Sequence, residues 1–369
     1  MATSAAAQEP ELLDAAQAGD EEAFRLLVDP YRSELHAHGY RMLGSVQDAE
    51  DALQDSMLRS WKGLKRFERR SSLRSWLYTI VTNTCLNEIE RRPKRMLPLD
   101  QGPASDPQGG PGLPLVETVW LEPYADEQLG VEDGFAAPEA RFERREGVEL
   151  AFIAALQHLP ATQRAVLILR EVLGFSAREV AESLDTTVAS VNSALQRARK
   201  TIDERLPERS QQATLRSLGD ARLREIVEGY MDAMQRGDVD AVVGMLAEDV
   251  AWSMPPAEAW FGGLESVRGF LGVGPLSGEW SWRHLPLRVN GQAASGAYCW
   301  HDQEGAYLPF ALDVLTLEGD RIKDITSFIT RPTEGSEPGY YLRWPAQPVD
   351  ASRVSASFER FGLPGRLER

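Results

Sequence analysis

The sequence predicts a multidomain protein in which two all-α segments precede an α+β domain. Apolar residues recur with helical spacing from Glu11 to Arg95 and again from Arg141 to Leu206. After residue 219 the pattern begins with helices and then changes to alternating strands, ending near Thr330. A chain of 369 residues is long enough for each of three domains to bury a core of its own.

Three connecting segments differ in composition from these domains. Residues 96–140 contain no Lys or Arg, nine carboxylates and many Pro and Gly residues, which predicts an acidic, flexible linker. Residues 207–218 form a short polar linker before the third domain, which we assign to 219–330. The tail, 331–369, is rich in Pro, Gly and Arg, and we expect it to be loosely ordered.

The formal charge of the chain is unevenly distributed. The net charge of -16 argues against strong DNA binding by the isolated chain, since phosphate contacts favour basic proteins. Residues 11–58, however, hold eleven acidic and three basic residues, whereas residues 59–95 hold eleven basic and three acidic residues. An acidic helix beside a basic stripe predicts two different partners, one of them a polyanion.

Cysteine, histidine and hydropathy patterns argue against several other classes of protein. Cys85 and Cys299 lie far apart and the five His residues lack metal-ligand spacing, so we expect no disulfide framework, metal or cofactor. No apolar run approaches the length of a membrane span, and the N-terminus lacks the basic start and apolar stretch of a signal peptide. We therefore expect a cytoplasmic protein without a membrane partner.

The sharpest local signal is a pair of capped helices in the second helical segment. Gly174 is placed to end one helix, and Ser176 with Glu179 forms an S-x-x-E capping box for the next. A tight polar turn of Asp185, Thr186 and Thr187, with a threonine available as N-cap, starts the following helix. Its predicted buried stripe is Val188, Val191, Leu195, Ala198 and Ile202. Its predicted DNA-binding residues are Ser190, Asn192, Ser193, Gln196, Arg197 and Lys200. An ordinary helical hairpin with a solvated face is the alternative.

This segment carries a family resemblance. Residues 159–181 resemble domain four of the sigma-70 family, and the resemblance implies a helix-turn-helix that reads the promoter -35 element. The sequence departs from the family pattern at Asn192 and Ala194, where a Lys and an Arg are typical.

The acidic half of the first segment opens with another cap, Ser45. We expect four residues of the following helix to face outward: Asp48, Asp51, Gln54 and Asp55. A solvated acidic face is the simplest interpretation of such a helix taken alone. The segment resembles the sigma-factor helix that docks on the clamp coiled coil of the largest polymerase subunits. That resemblance implies that these side chains meet basic residues of RNA polymerase.

The basic half combines cations with aromatic and amide side chains. Such a set suits single-stranded DNA, because cations hold the backbone while an unstacked base needs a pocket or an aromatic face. The predicted contacts are Arg66, Arg69, Arg70, Arg74, Tyr78, Asn83, Asn87, Arg91 and Arg92. The region resembles the sigma domain-two element that melts the -10 promoter region. Trp76 fits the apolar stripe and is predicted to be core, and Asn87 stands where the family usually has an aspartate.

The order of these pieces resembles a bacterial RNA polymerase sigma factor of the extracytoplasmic-function group, which lacks sigma domain three. The resemblance implies core RNA polymerase and promoter DNA as partners and no enzymatic activity. The acidic linker could mimic nucleic acid within the polymerase channels.

The third domain resembles the SnoaL-like, ketosteroid-isomerase-like cone fold. In sigma factors with this appendage, the resemblance implies that the cone controls the sigma core in place of a separate anti-sigma protein. Candidate pocket residues are Trp252, Trp260, Trp280, Trp282 and Trp300. Candidate residues for isomerase chemistry are Asp313, Tyr298 and His301. We favour packing or an internal contact over catalysis for these groups.

Two alternative functions compete with this interpretation. A polymerase-independent helix-turn-helix regulator would leave the acidic helix unexplained. A cyclase-like or isomerase-like enzyme, tethered to a DNA-binding module, would require a correctly placed pair of acidic groups in the cone.

Overall fold

The computed structural model describes residues 2–109, 120–129, 147–331 and 349–369. They form two compact units. The helical unit comprises Met1–Lys94 and Gln128–Leu206, and the cone unit comprises Arg95–Glu127 and Pro207–Arg369.

The first helical segment is built around a buried central helix. Its helices are α1 (Ala2–Gln17), α2 (Glu21–Val28), α3 (Arg32–Leu43), α4 (Val46–Leu64) and α5 (Leu73–Arg91). α3 is buried from Leu35 to Leu43 and packs against α4 and α5. It ends at Gly44, whose φ of 70° is favourable for a residue without Cβ. Ser45 then caps α4, as predicted, by accepting a hydrogen bond from the Asp48 N–H at 3.0 Å.

The second helical segment has the predicted helix-turn-helix. Its helices are α6 (Leu150–Gln157), α7 (Ala161–Leu167), α8 (Ala177–Ser183) and α9 (Val188–Asp203), and a π-helical turn, Ile168–Val172, follows α7. Ser176 and Glu179 form the reciprocal capping box, and Thr187 caps α9. The predicted buried stripe of α9 is confirmed except at Val188, which is 43% exposed because it occupies the first helical turn.

The third domain contains the predicted mixture of helices and strands. Its helices are α10 (Gln211–Arg236, interrupted at Gly219), α11 (Val239–Gly244) and α12 (Leu264–Val273). Its strands are β1 (Leu246–Ser253), β2 (Trp260–Gly262), β3 (Trp282–Val289), β4 (Gln292–His301), β5 (Ala306–Glu318) and β6 (Arg321–Ile329).

The strands form one sheet in the order β2-β1-β6-β5-β4-β3. β1 and β6 run parallel, and the other neighbouring strands run antiparallel. One face of the sheet packs against α10 and α12 in a single apolar core that includes Ile226, Phe270, Leu315 and Ile325.

The cone begins earlier than residue 219. α10 starts at Gln211, whose side chain donates to the Leu317 carbonyl at 2.8 Å. Gln212 donates to the Gly291 carbonyl at 2.6 Å. Because these amides are buried against the strands, part of the predicted 207–218 linker belongs to the cone.

The described parts of the acidic linker pack on the cone, which differs from the flexible segment that we predicted for 96–140. The Tyr124 N–H donates to Asn290 Oδ1, and the Asn290 N–H donates to the Tyr124 carbonyl, both at 2.9 Å. Near the start of the linker, the Ser105 N–H donates to the Trp260 carbonyl at 2.8 Å. The remaining linker residues, 110–119 and 130–140, lie outside the described ranges.

A short apolar run explains this difference. The exposed fractions of Trp120, Leu121 and Tyr124 are 9%, 1% and 0%. These side chains supply buried apolar area inside a segment whose average composition is acidic and rich in turn formers.

The described part of the tail is also ordered, contrary to the expectation for 331–369. It contains α13 (Ala351–Glu359), whose Phe358 side chain is fully buried. Tyr307 and Leu367 exchange two backbone hydrogen bonds of 2.9 Å. Residues 332–348 lie outside the described ranges.

Candidate polymerase and promoter interfaces

The acidic face of α4 presents three of its four predicted residues to solvent. Asp51 and Gln54 are exposed, and Asp55 is partly exposed. Asp55 also forms an ion pair of 2.7 Å with Arg59 one turn away, a pair that exposure and solvent screening keep weak. The three side chains can therefore reach a partner.

The outward position predicted for Asp48 is wrong. This residue is 7% exposed and forms an ion pair with Arg92, at the end of α5. Asp48 lies in the first turn of α4, where a carboxylate also favours the helix N-terminus. The Asp48 carboxylate thus stabilises the contact between two helices.

Leu58 is a feature of this face that the sequence analysis missed. Its exposed fraction is 60%, although it is a large apolar residue in the middle of α4. Positions 51, 55, 58 and 62 follow one another at intervals of three and four residues, so they form one stripe on the helix. That spacing is the sequence signal by which Leu58 could have been found.

A basic loop, residues 65–72, joins α4 to α5. Arg66 and Arg70 are exposed, and Arg70 pairs with Glu68 at 2.5 Å. Arg69 instead forms an ion pair with Asp14 of α1. All three predicted arginines of this loop are exposed, but within the described ranges only Arg69 is also paired with a carboxylate of another helix.

Arg74 and Tyr78, at the start of α5, contact Phe175 of the second helical segment. The Arg74 guanidinium donates to both carboxylate oxygens of Glu34 at 3.0 Å and lies 4.8 Å from the Tyr78 ring centroid and 5.2 Å from that of Phe175. Tyr78 is 1% exposed and its ring meets that of Phe175 edge-on at 5.3 Å. Burial raises the pKa of the Tyr78 hydroxyl above its ordinary value. Tyr78 is accordingly inaccessible to DNA in this arrangement.

The remaining predicted -10 contacts lie on an open face of α5. Asn83, Asn87 and Arg91 are exposed. Arg92 is exposed as well, but it is engaged by Asp48 and by Glu88, the latter at 3.2 Å.

Trp76 lies partly buried, with its ring centroid 4.9 Å from that of Phe67. This position is compatible with the predicted packing role.

All the predicted -35 contacts on α9 are exposed: Ser190, Asn192, Ser193, Gln196, Arg197 and Lys200. The Ser190 hydroxyl lies 2.9 Å from the hydroxyl of the N-cap, Thr187. Asn192, Gln196 and Lys200 also line a groove of about 780 Å³ together with two cations that the sequence analysis missed, Arg170 and Arg199. Arg199 forms an ion pair of 2.7 Å with Glu171.

The polar groups inside the cone form a network centred on Asp313. The Asp313 carboxylate accepts hydrogen bonds from the Tyr230 hydroxyl at 2.9 Å and from Ser327 Oγ at 2.6 Å. Ser327 in turn accepts one from the Trp252 indole at 3.0 Å. Burial raises the pKa of Asp313 to about 6.

Two of the three candidates for isomerase chemistry, Asp313 and Tyr298, have different hydrogen-bond partners. The Tyr298 hydroxyl donates to the Pro364 carbonyl at 2.8 Å, so this side chain contacts the C-terminal tail. Asp313 contacts α10 instead, through Tyr230. The pairing of β4 with β5 shifts register between Ala297 and Tyr298. The sequence gives no sign of this shift, so the neighbours of each strand residue could not be predicted.

The five tryptophans do not line a common pocket. Trp280 and Trp282 stack at 5.3 Å, and Trp252 is buried in the core. The Trp260 indole donates to the Gly102 carbonyl in the linker, and Trp300 packs against Tyr307. The five indole rings therefore make separate packing and hydrogen-bond contacts.

No helix within the described ranges is long and apolar enough to cross a membrane. Among the same residues, no group of three or more His, Cys, Asp or Glu side chains could hold a metal ion.

Three family models match the chain. Sigma-70 region 2 matches residues 27–95, and Sigma-70, region 4 matches residues 149–202. The SnoaL-like domain matches residues 227–325.

Relatives match both the sigma segments and the appended domain. The ECF RNA polymerase sigma factor SigG of Mycobacterium tuberculosis is 39% identical over 311 residues, covering 83% of this chain and 81% of that protein. The RNA polymerase sigma-H factor of Pseudomonas aeruginosa is 30% identical over 199 residues, covering 54% of this chain and 94% of that protein.

A solved structure shares the fold. The crystal structure of the Mycobacterium tuberculosis extracytoplasmic function sigma factor SigJ matches with a TM-score of 0.52 and 24% identity, covering 81% of this chain and 94% of that one.

Proposed function

Because this chain belongs to the ECF RNA polymerase sigma factors, we propose that its helical unit divides promoter initiation among three surfaces and that its cone regulates them. Sigma factors direct RNA polymerase to promoters, and the partners of this chain are core polymerase and promoter DNA. We place its action in the cytoplasm, where the polymerase works, and assign no catalytic step to it.

The first surface is the acidic face of α4, which we assign to polymerase docking. The proposal rests on the observation that acidic and basic side chains are exposed on separate surfaces of one small helical segment. Asp51, Gln54 and Asp55 point to solvent on α4, while the exposed cations lie on the basic loop and α5. Opposite charge on separate surfaces allows one body to bind a basic protein surface and a DNA strand together.

The second surface is assigned to the -10 element. Arg66, Arg70, Asn83, Asn87 and Arg91 are the direct contacts, because these side chains are exposed. Arg70 and Arg91 pair only with carboxylates near them in sequence, Glu68 and Glu88. Arg69, Arg74 and Arg92 pair instead with carboxylates of other helices, and we assign them to stabilising the shape of the surface. Tyr78 could join the contacts only after Phe175 moves away.

The third surface is the exposed face of α9, assigned to the -35 element. Ser190 and Ser193 lie near the N-terminus of α9, where short polar side chains can approach base edges. Arg197 and Lys200 lie further along and suit phosphate contacts.

The cone is assigned to intramolecular control of these surfaces. Support comes from the linker between the two sigma segments, because its described residues pack on the cone. The hydrogen-bonded Asp313 network favours a structural role over isomerase chemistry, since both carboxylate oxygens are already engaged.

In vitro transcription with purified core polymerase tests these assignments. The full chain should direct run-off transcripts from genomic DNA of the source organism, whereas core enzyme alone should not. A version stopped after Leu206 should give a different output. Equal output would remove the regulatory role of the cone, and silence of both proteins together with no binding to core polymerase would remove the sigma assignment.

A further inference from the structure

The conformation of the basic loop is held from outside by α1. The Gln17 side chain, at the C-terminal end of α1, donates one N–H to the Leu64 carbonyl and the other to the Phe67 carbonyl, both at 3.0 Å. Its carbonyl oxygen accepts a hydrogen bond from the Arg69 guanidinium at 3.3 Å. One partly buried amide thus engages the chain at the end of α4, inside the loop and at the loop arginine.

Arg69 is the residue whose backbone most needs such support. Its φ is +58°, in the left-handed region that a residue with a Cβ disfavours. A conformation of this kind persists where surrounding contacts determine it. Here the ion pair with Asp14 and the bond to Gln17 both draw the Arg69 side chain toward α1.

As a consequence, the arginines of the loop differ in whether they contact α1. The Arg69 side chain is exposed but paired with α1, whereas Arg66 and Arg70 are exposed and make no contact with α1 among the described ion pairs and hydrogen bonds. Phe67 is 9% exposed and packs on Trp76, so the loop is anchored on its inner side by an aromatic contact and by Gln17. The outward cations are therefore presented by a loop of defined shape.

We propose that Gln17 is a positioning residue for promoter opening, which fixes the basic loop so that Arg66 and Arg70 meet the single-stranded -10 DNA. This inference rests on the -10 role proposed above for the loop. Gln17 itself need not touch DNA: it acts through the Leu64 and Phe67 carbonyls and through Arg69. Preorganisation of this kind reduces the ordering that binding would otherwise require.

The test compares Gln17→Glu with Ala18→Glu in the full-length holoenzyme. Gln17→Glu places a carboxylate, which has no N–H, against the same two carbonyls, whereas Ala18→Glu adds the same charge at an exposed neighbouring position. Permanganate reactivity of the -10 thymines reports melting, and a titration with labelled core polymerase reports docking. We expect about a 10-fold loss of promoter opening for Gln17→Glu, little change for Ala18→Glu, and core affinity within about 2-fold for both.

A second variant keeps the test informative if Gln17→Glu folds poorly. Gln17→Met removes the hydrogen bonds without adding charge and should give a smaller loss of opening in the same direction. Opening equal to that of the wild type in Gln17→Met, or in a folded Gln17→Glu, overturns the proposal. A loss matched by equal losses of core affinity and melting temperature also overturns it, because the role would then be general stability.

Failure of the underlying function gives a separate result. If the wild-type chain neither binds core polymerase nor opens any promoter, the -10 assignment itself is wrong. If the wild type opens promoters and the Gln17 variants do so equally well, only the positioning role is lost.

Discussion

At the scale of single residues, Asp313 is a carboxyl group placed where its charge is unfavourable. Burial raises its pKa from 3.8 to about 6, so the folded cone holds the proton more tightly than the unfolded chain does. The resulting stability is fully present below pH 3.8 and is lost as the pH rises through about 6. The shift corresponds to a loss on the order of 3 kcal/mol across that window.

Replacing this carboxyl group should flatten the pH dependence. We expect Asp313→Asn to be less stable overall, by about 1–3 kcal/mol, because the amide offers one acceptor to two hydroxyl donors. The decrease in melting temperature of the cone from pH 4 to pH 6.5 should nevertheless be smaller than in the wild type. Thermal unfolding of both proteins over that range checks this, and parallel curves would contradict the assignment of the shift to Asp313.

Leu58 yields a prediction about polymerase binding. Burial of an exposed leucine side chain against a partner removes apolar surface from water, which favours binding by about 1.5–3 kcal/mol. Leu58→Ala should weaken binding to core polymerase by about 10-fold or more, corresponding to at least 1.4 kcal/mol. Leu26→Ala is the matched control, because Leu26 is also an exposed leucine, at 45%, but lies on a different helix, α2. Equal affinities of the two variants, measured by fluorescence titration, would count against the role of Leu58.

At the scale of elements, capping chemistry made the helix-turn-helix predictable. Ser176, Glu179 and Thr187 form capping hydrogen bonds with residues three positions away. The local sequence is therefore sufficient to predict where these helices begin. The orientations of Asp48 and Tyr78 depend on packing against Arg92 and Phe175, which are distant in sequence. Such long-range contacts have no local signal, so the sequence could not show that Asp48 points inward or that Tyr78 is buried.

The linker segment around Tyr124 provides an element-scale prediction. Asn290 exchanges two hydrogen bonds with Tyr124 and has a left-handed φ of +55°. Asn290→Ala removes the side-chain acceptor and places an unfavourable residue in that conformation, so residues 120–127 should detach more readily, by about 1–3 kcal/mol. Hydrogen exchange of the Tyr124 and Ala125 amides should accelerate accordingly. Asn290→Asp keeps the acceptor and should change the exchange rates much less; equal acceleration in both variants would exclude this bond as the cause.

At the scale of the whole molecule, the two sigma segments share one unit. The Arg41 side chain donates to the Gly147 carbonyl at 2.7 Å, and Phe175 covers Arg74 and Tyr78. Sequence analysis predicted two bodies joined by a flexible tether, because neither the apolar run at 120–125 nor these contacts stand out from composition. The order of the segments and the class of each fold were nevertheless predictable, since helical and strand periodicities are local.

Promoter binding should move Phe175 away from Tyr78. A photoreactive benzoylphenylalanine at position 175 should cross-link to residues 74–78 in the free chain, because the rings lie 5.3 Å apart. Addition of core polymerase and promoter DNA should suppress that cross-link if Tyr78 becomes available to the -10 strand. Mass spectrometry of the cross-linked peptides measures the change, and an unaltered yield would show that Tyr78 stays covered during initiation.

The pairing of Tyr124 with Asn290 also sets an order of events during synthesis of the protein. The ribosome makes the linker well before it makes β3 and β4, so the segment around Tyr124 emerges while its partner strands do not yet exist. At ordinary translation rates this interval is on the order of 10 s. A nascent sigma factor therefore passes through a period in which its N-terminal helices have been made but the partner of Tyr124 has not, and a polymerase encountered then would meet a linker without that restraint.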